Sequence, residues 1–333
     1  MNKGIGLLGL ILCGAPLAWA QASGPLRVVT RYEIGGEGGY DYLRFDDVGR
    51  RLYVAHGRQV DVLDGDTGQR VGAIAPTNGV HGIALAPEFN HGFTTNGLDR
   101  SVTMFDLRTL ATLKVIKYTG VKPDAIEYDA ERKEVFVANG DPKQGGDLTL
   151  IDAATGAITA TIDLGGKLEG MAWDAGRLFV AAEDRSLVHV VDARTLKLLA
   201  DWPLAPGEEP TGVAVDRRRH RLFFACGNNK LVVLDSLTGK VLATPPIGNG
   251  PDGAVFDPAT GRVFVSNREG TLTVLRALYD DAYEVEQTVL TEPGARTIAL
   301  DARTHRVFLP TGKFEPGSRA PAPGSFHVLV VGQ

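Results

Sequence analysis

A chain of 333 residues with 44% hydrophobic side chains can bury a large core, and its formal charge of −5 disfavours nonspecific attraction to nucleic-acid backbones. Its two cysteines, Cys13 and Cys226, fall on either side of an expected processing point, which excludes an intramolecular disulfide in the mature chain. Beyond the N-terminus no run is apolar and long enough for a membrane helix.

The chain opens with Lys3, an apolar stretch from Ile5 to Cys13, and then Ala18-Trp19-Ala20. This is the order of a secretory signal peptide, and its apolar part is too short to span a bilayer. Cleavage after Ala20 is expected, making residues 1–20 a signal peptide, placing the mature protein in the periplasm and leaving 21–333 as a single domain. Leu12 stands where lipidation of Cys13 would need a small residue, and losing Lys3 makes the mature chain slightly more acidic.

Next comes a strand, PLRVVTRYEI, from Pro25 to Ile34. Seven copies of one hairpin follow: YLRFDDVGRRLYV, GIALAPEFNHGFT, AIEYDAERKEVFV, GMAWDAGRLFV, GVAVDRRRHRLFF, GAVFDPATGRVFV and TIALDARTHRVFL. In each an apolar strand runs to a polar turn and a second apolar strand. The turn opens with Asp46, Asp129, Asp174, Asp216, Asp257 or Asp301, with Ala86 in the second copy. The basic run at Asp216 to Arg221 is one of these tips and reads as solvated surface. Between the hairpins run VDVLDGDTG, VTMFDLRTL, LTLIDAATG, VHVVDARTL and LVVLDSLTG, a ladder with a period in the low forties. That period, without helical periodicity, predicts an all-β, seven-bladed β-propeller of four-stranded, WD40-like blades. Only one strand, SFHVLVVGQ, follows the last hairpin, so the N-terminal strand must complete the last blade and close the ring. The Asp of Asp-x-x-Thr-Gly accepts backbone N–H groups, and the Gly suits a positive φ. Leu110 and Leu196 replace that Gly and predict a different turn in two blades.

Aligned on the hairpin aspartate, the residue five positions earlier is Asp41, His81, Asp124, Glu169, Thr211, Asp252 and Arg296 in turn. Inner strands line a propeller's channel, so these polar residues form a ring at its mouth, the candidate ligand-binding site. His81, Asp124, Glu169 and Asp252 offer oxygen and imidazole ligands for a divalent metal ion, and Arg296 could hold a ligand carboxylate or phosphate. A wet channel mouth whose charges balance one another accounts for the same pattern. A second ring, His56, Asn96, Asn139, Ala182, Cys226, Asn267 and Thr311, ends the second strands. There asparagine before a turn is ordinary turn chemistry and Cys226 reads as a packed thiol. The two longest insertions, at Gly140 to Asp147 and Gly312 to Ser325, join second to third strands and predict long loops on the face of the polar ring.

FVANG at Phe136 to Gly140 and FVSNR at Phe264 to Arg268 resemble the repeat of the secreted YncE-like, YVTN-repeat propellers, and the resemblance spans the mature chain. It implies a periplasmic seven-bladed propeller. Members are often labelled DNA-binding, which the acidic charge here does not support. The expected function is recognition of a small ligand or protein partner at the channel mouth by a monomer, without catalysis. The alternative is a metal-assisted lactonase-type hydrolase, with His81 or Glu169 as general base and Arg296 orienting the substrate. A heme d1 or quinone cofactor is a third reading. It is opposed by a mature chain holding only Trp173 and Trp202 as tryptophans, and by seven blades where such domains have eight.

Overall fold

Each apolar–turn–apolar unit of the sequence is an antiparallel hairpin in the computed structural model, which describes residues 24–117, 122–141, 143–279, 281–318 and 320–333. The leader expected over residues 1–20 lies outside the described residues. The strands assemble into seven four-stranded antiparallel sheets, a seven-bladed β-propeller. Blades one to six follow chain order as residues 40–74, 80–117, 123–163, 168–203, 210–243 and 251–290. The seventh joins Ala299–Asp301, Arg306–Thr311 and His327–Gly332 to the N-terminal strand Arg27–Glu33, which pairs antiparallel with His327–Gly332. The first strand of the chain thus closes the ring on its last.

Middle strands are buried on both faces because each blade packs between two others, as in Arg51–His56 and Arg221–Cys226. The outermost strands face solvent: in Thr112–Lys117 only Ile116 is buried. An aromatic side chain occupies the third position of all seven second strands: Tyr53, Phe93, Phe136, Phe179, Phe223, Phe264 and Phe308. All are at most 1% exposed. Full burial of one such ring contributes about 2–3 kcal/mol, and seven wedged between blades set the spacing of the sheets. At the ring closure Phe308 stacks on Phe45 of blade one with centroids 5.1 Å apart.

On the face away from the polar ring, the Asp-x-x-Thr turns close as anticipated, with Thr67, Thr109, Thr155, Thr195 and Thr238 each donating to their aspartate. The expectation of a different turn at Leu110 and Leu196 is overturned. Both take the left-handed conformation, φ 63° and 62°, and keep the same N–H to Asp carbonyl bond of 2.8 Å made by Gly68, Gly156 and Gly239. Packing favours leucine there: Leu110 Cδ1 lies 2.7 Å from where a Cβ on Gly72 of blade one would stand, so the Leu fills space that Gly72 leaves. Hairpin aspartates bind the next blade. Asp174 meets His220 Nδ1 at 2.8 Å, Asp257 meets His305 Nδ1 at 2.9 Å, and Asp301 accepts from Arg50 Nη1 at 2.8 Å. The last of these joins blade seven to blade one.

Asp301 is 1% exposed, and without Arg50 its buried charge keeps only neutral donors, such as the Thr304 hydroxyl and the Arg303 N–H. Arg50→Ala is expected to lower unfolding free energy in urea by about 3 kcal/mol. Arg303→Ala, which breaks an exposed pair with Asp66 on the same rim, is expected to cost less than about 1 kcal/mol. Equal losses would show that Arg50 does not tie the ring shut.

Candidate functional site

Six inner strands carry a bulge at the ring position. Pairing shifts register between Tyr40 and Leu43, Val80 and Ile83, Pro123 and Ile126, Leu168 and Met171, Pro210 and Gly212, and Pro251 and Gly253. A bulge places one extra residue on the strand and re-aims its side chain, here into the mouth. In blade seven the inner strand is only Ala299–Asp301, and Arg296 precedes it. The residue after the ring position is Gly82, Gly170, Gly212 or Gly253 in four blades, for a steric reason. A Cβ on Gly212 would stand 2.7 Å from Ala254 N, and one on Gly82 would stand 2.7 Å from Ile126 Cγ2 and 3.0 Å from Asp124 O. Neighbouring inner strands therefore approach backbone to backbone. Hydroxyls fasten the contact: Thr95 Oγ1 donates to Asp124 O at 2.6 Å, Thr297 Oγ1 to Asp41 O at 2.7 Å, and Thr211 Oγ1 to Pro251 O at 3.2 Å.

The narrow mouth brings five of the ring side chains, Asp41, His81, Asp124, Asp252 and Arg296, into one network. His81 Nδ1 hydrogen-bonds Asp41 Oδ2 and lies 3.7 Å from Asp124 Oδ1. Arg296 pairs with Asp252, lies 3.6 Å from Asp41 Oδ1 and donates to Tyr40 O at 2.8 Å. The flanking turns supply cations that the alignment of inner strands did not single out. Lys122 Nζ is 3.4 Å from Asp124, Arg268 is 3.8 Å from Asp252, and Lys167 Nζ is 2.7 Å from Glu169 and also pairs with Glu183. Each of the four ring carboxylates therefore has a basic partner. The tight convergence is Asp41, His81 and Asp124, whose ligand atoms all lie within 4.8 Å of one another. Of the four residues put forward as metal ligands, His81 and Asp124 belong to this group. Glu169 and Asp252 are instead engaged by Lys167 and by Arg296, and Asp41 supplies the third atom. Thr211 turns its hydroxyl to backbone carbonyls.

Burial and charge act against each other at the mouth. Burial opposes the imidazolium of His81, but the Asp41 hydrogen bond and the Asp124 and Asp41 charges outweigh it and raise its pKa above the usual 6.5. For Asp41 burial works upward, yet His81 and Arg296 bring the carboxyl below its ordinary range. Burial, reinforced by the Asp124 charge, pushes Glu169 well above the carboxylate range, and burial also raises Asp252 against the pull of Arg296. Lys167 stays protonated despite burial because Glu169 and Glu183 face it. Tyr42 follows Asp41 where other blades carry glycine or a small residue, and its phenol is pushed far up by burial and then by Glu169, Asp124, Asp41 and Asp252. It crosses from blade one to pack against the cluster of Ala125 and Met171 in blades three and four, and it lines an axial cavity of about 390 Å³. Deeper in that cavity Arg44 Nη2 meets Glu127 Oε2 at 2.6 Å.

The second ring is internal structure. His56, Asn96, Asn139, Ala182, Cys226, Asn267 and Thr311 are all at most 3% exposed. Asn96, Asn139 and Asn267 donate to Thr103, Thr149 and Thr273 of the third strands at 2.9, 3.0 and 3.0 Å, locking each turn from inside. Burial pushes the Cys226 thiol up to about 12, which makes it a poor nucleophile at neutral pH. The insertion at Gly140 to Asp147 is not a free loop. Its ends extend the hairpin through pairs Gly140 with Gly146 and Asp141 with Gly145. The described residues of the second insertion, 312–318 and 320–325, do form a long connection on the mouth face, held by Ser325 bonds to Lys313 N and Ala322 O.

The raised His81 pKa has a stability consequence. A group whose pKa rises on folding contributes stability that is complete below its unfolded value, near 6.5, and is lost as pH climbs through the folded value. Asp41→Asn should lower the His81 titration midpoint, followed by NMR of the imidazole, and flatten the fall in stability over that alkaline interval. An unchanged midpoint would mean that Asp41 does not hold the proton.

Among solved structures the fold is similar to a chain of the mitotic checkpoint complex, at 13% identity and TM-score 0.76 over 99% of both chains. It is also similar to U3-55K, at 8% identity and TM-score 0.76 over 91% of this chain and 98% of that one. A chain of Kuenenia stuttgartiensis hydrazine synthase matches at 15% identity and TM-score 0.69 over 88% and 96%. At these identities the likeness is one of fold alone. No curated protein matches the sequence. A family model does, over residues 121–306, and because that is more than half of the chain the protein belongs to the family described as outer membrane protein assembly factor BamB.

Proposed function

We propose that the protein is a non-enzymatic periplasmic scaffold, of the YncE-like, YVTN-repeat type within the propellers, that recognises a protein partner on its channel-mouth face. The observation that carries this reading is the pairing of the mouth's charges. From Lys167 and Glu169 through Lys122, Asp124, His81, Asp41 and Arg296 to Asp252 and Arg268, acids alternate with bases. Such a platform suits recognition by charge register, where complementary patterns select the partner and mismatched charges repel others. Assembly, the role in the family's description, is a scaffold's task, which supports the same reading. The acidic net charge disfavours DNA as the partner.

The mouth face and its opposite each offer an exposed apolar residue suited to a photo-cross-linking amino acid: Leu98, 80% exposed in a second-to-third-strand turn, and Val48, 88% exposed in a hairpin on the far face. Irradiated in cells of the source organism, the Leu98 derivative should yield a discrete adduct that disappears when Lys122 and Arg268 are both changed to Glu. The Val48 derivative should yield none. An adduct from Val48 alone, or one from Leu98 indifferent to the charge reversals, would contradict the proposal. N-terminal sequencing of the secreted protein should begin at Gln21, and retention in the cytoplasm would refute the periplasmic assignment.

A further inference from the structure

We propose that Asp41, His81 and Asp124 form a binding site for one divalent transition-metal ion at the channel mouth, an inference that goes beyond the scaffold reading and does not depend on it. The three residues come from the inner strands of three successive blades, and their ligand atoms lie within 4.8 Å of one another. One imidazole nitrogen with two carboxylate oxygens is a borderline donor set, suited to Zn²⁺, Mn²⁺ or Co²⁺, whereas Ca²⁺ and Mg²⁺ prefer oxygen alone.

The donors are held from behind. The backbones of Asp41 and Asp124 are pinned by Thr297 and Thr95, and the bulges aim their side chains inward. The His81 ring is wedged against Gly97, where a Cβ would stand 2.7 Å from Nε2 and 2.9 Å from Cδ2, so Nδ1 faces the two carboxylates. Arg296 and Lys122 approach the same carboxylates, the kind of outer partner that orients metal ligands. Side-chain exposures of 13% for Asp41, 19% for His81 and 12% for Asp124 leave the group open enough for an ion to enter and for water or a partner to complete its coordination. On binding, a proton on Nδ1 leaves to solvent and the ion bonds that nitrogen and one oxygen of each aspartate. The ion's two positive charges then balance the two carboxylates.

The mature protein, stripped with chelator, is titrated with Co²⁺ and with Zn²⁺. One equivalent should bind, Co²⁺ giving visible d–d absorption that Zn²⁺ displaces. His81→Gln and Asp124→Asn should each weaken affinity by at least about 100-fold. His220→Gln, which alters an imidazole–carboxylate pair on the far face, should leave it unchanged. Because a mouth variant could perturb folding, wild type carries a second readout: substoichiometric Mn²⁺ should broaden the His81 imidazole resonances before those of any other histidine. No binding to wild type at 100-fold excess metal, affinity unaltered in both folded variants, or broadening that begins at another histidine would overturn the site. None of these outcomes bears on the cross-linking test of the scaffold.

Discussion

The close approach of neighbouring inner strands is the constraint on which the mouth depends. Seven strands can crowd around a narrow axis only where side chains do not keep them apart, and Gly82, Gly170, Gly212 and Gly253 occupy the points of contact. With a Cβ at those points the backbones would have to separate by several tenths of an ångström, and the hydroxyl bridges from Thr95 and Thr211 across the same junctions would lengthen. The aromatic wedges of the second strands fix the blades farther out, and the glycines set how far the ring contracts at its centre.

Contraction has an electrostatic cost. Two like charges about 4 Å apart in a partly dry site repel by about 4 kcal/mol, so four carboxylates gathered at one mouth require compensation. The fold supplies it from two directions. His81 and Arg296 stand within the ring, while Lys122, Lys167 and Arg268 arrive from the turns above. The result is a rigid, charge-matched surface in which Glu169, despite Lys167 at 2.7 Å, is the carboxyl most strongly driven toward its neutral form, by burial and by Asp124. Tyr42 reads the same field: its phenol is held neutral by burial and four carboxylates.

Much of this was legible in the sequence because a propeller repeats. Hairpin aspartates and the Asp-x-x-Thr ladder gave the blade count, and one alignment offset selected all seven ring residues. What the repeat hid was whatever breaks it. Lys122 and Lys167 both stand two residues before the ring position, but four blades carry glycine there, so the offset that picks out the ring passes them by, and Arg268 lies in a second-to-third-strand turn. Tyr42 is a single bulky residue at a position of small ones, visible only as an exception to a rule that the glycines had first to establish. Contacts between blades were also hidden, since whether Asp41 meets His81 or Arg296 depends on how far the ring contracts. Leu110 and Leu196 misled for a related reason. The Asp-x-x-Thr bonds are strong enough to impose a positive φ on leucine, and the gain for Leu110 lies against Gly72 in another blade.

The most direct measurement of this dependence is the His81 pKa in a Gly82→Ala variant that remains folded. The added Cβ presses on Ile126 and on the Asp124 backbone, so it should move the Asp124 carboxylate away from the imidazole. The account predicts that the His81 pKa falls toward 6.5 while the imidazole keeps its Asp41 partner. A folded variant with an unshifted His81 would contradict it, because the charges at the mouth would then be set independently of the glycine contacts between blades.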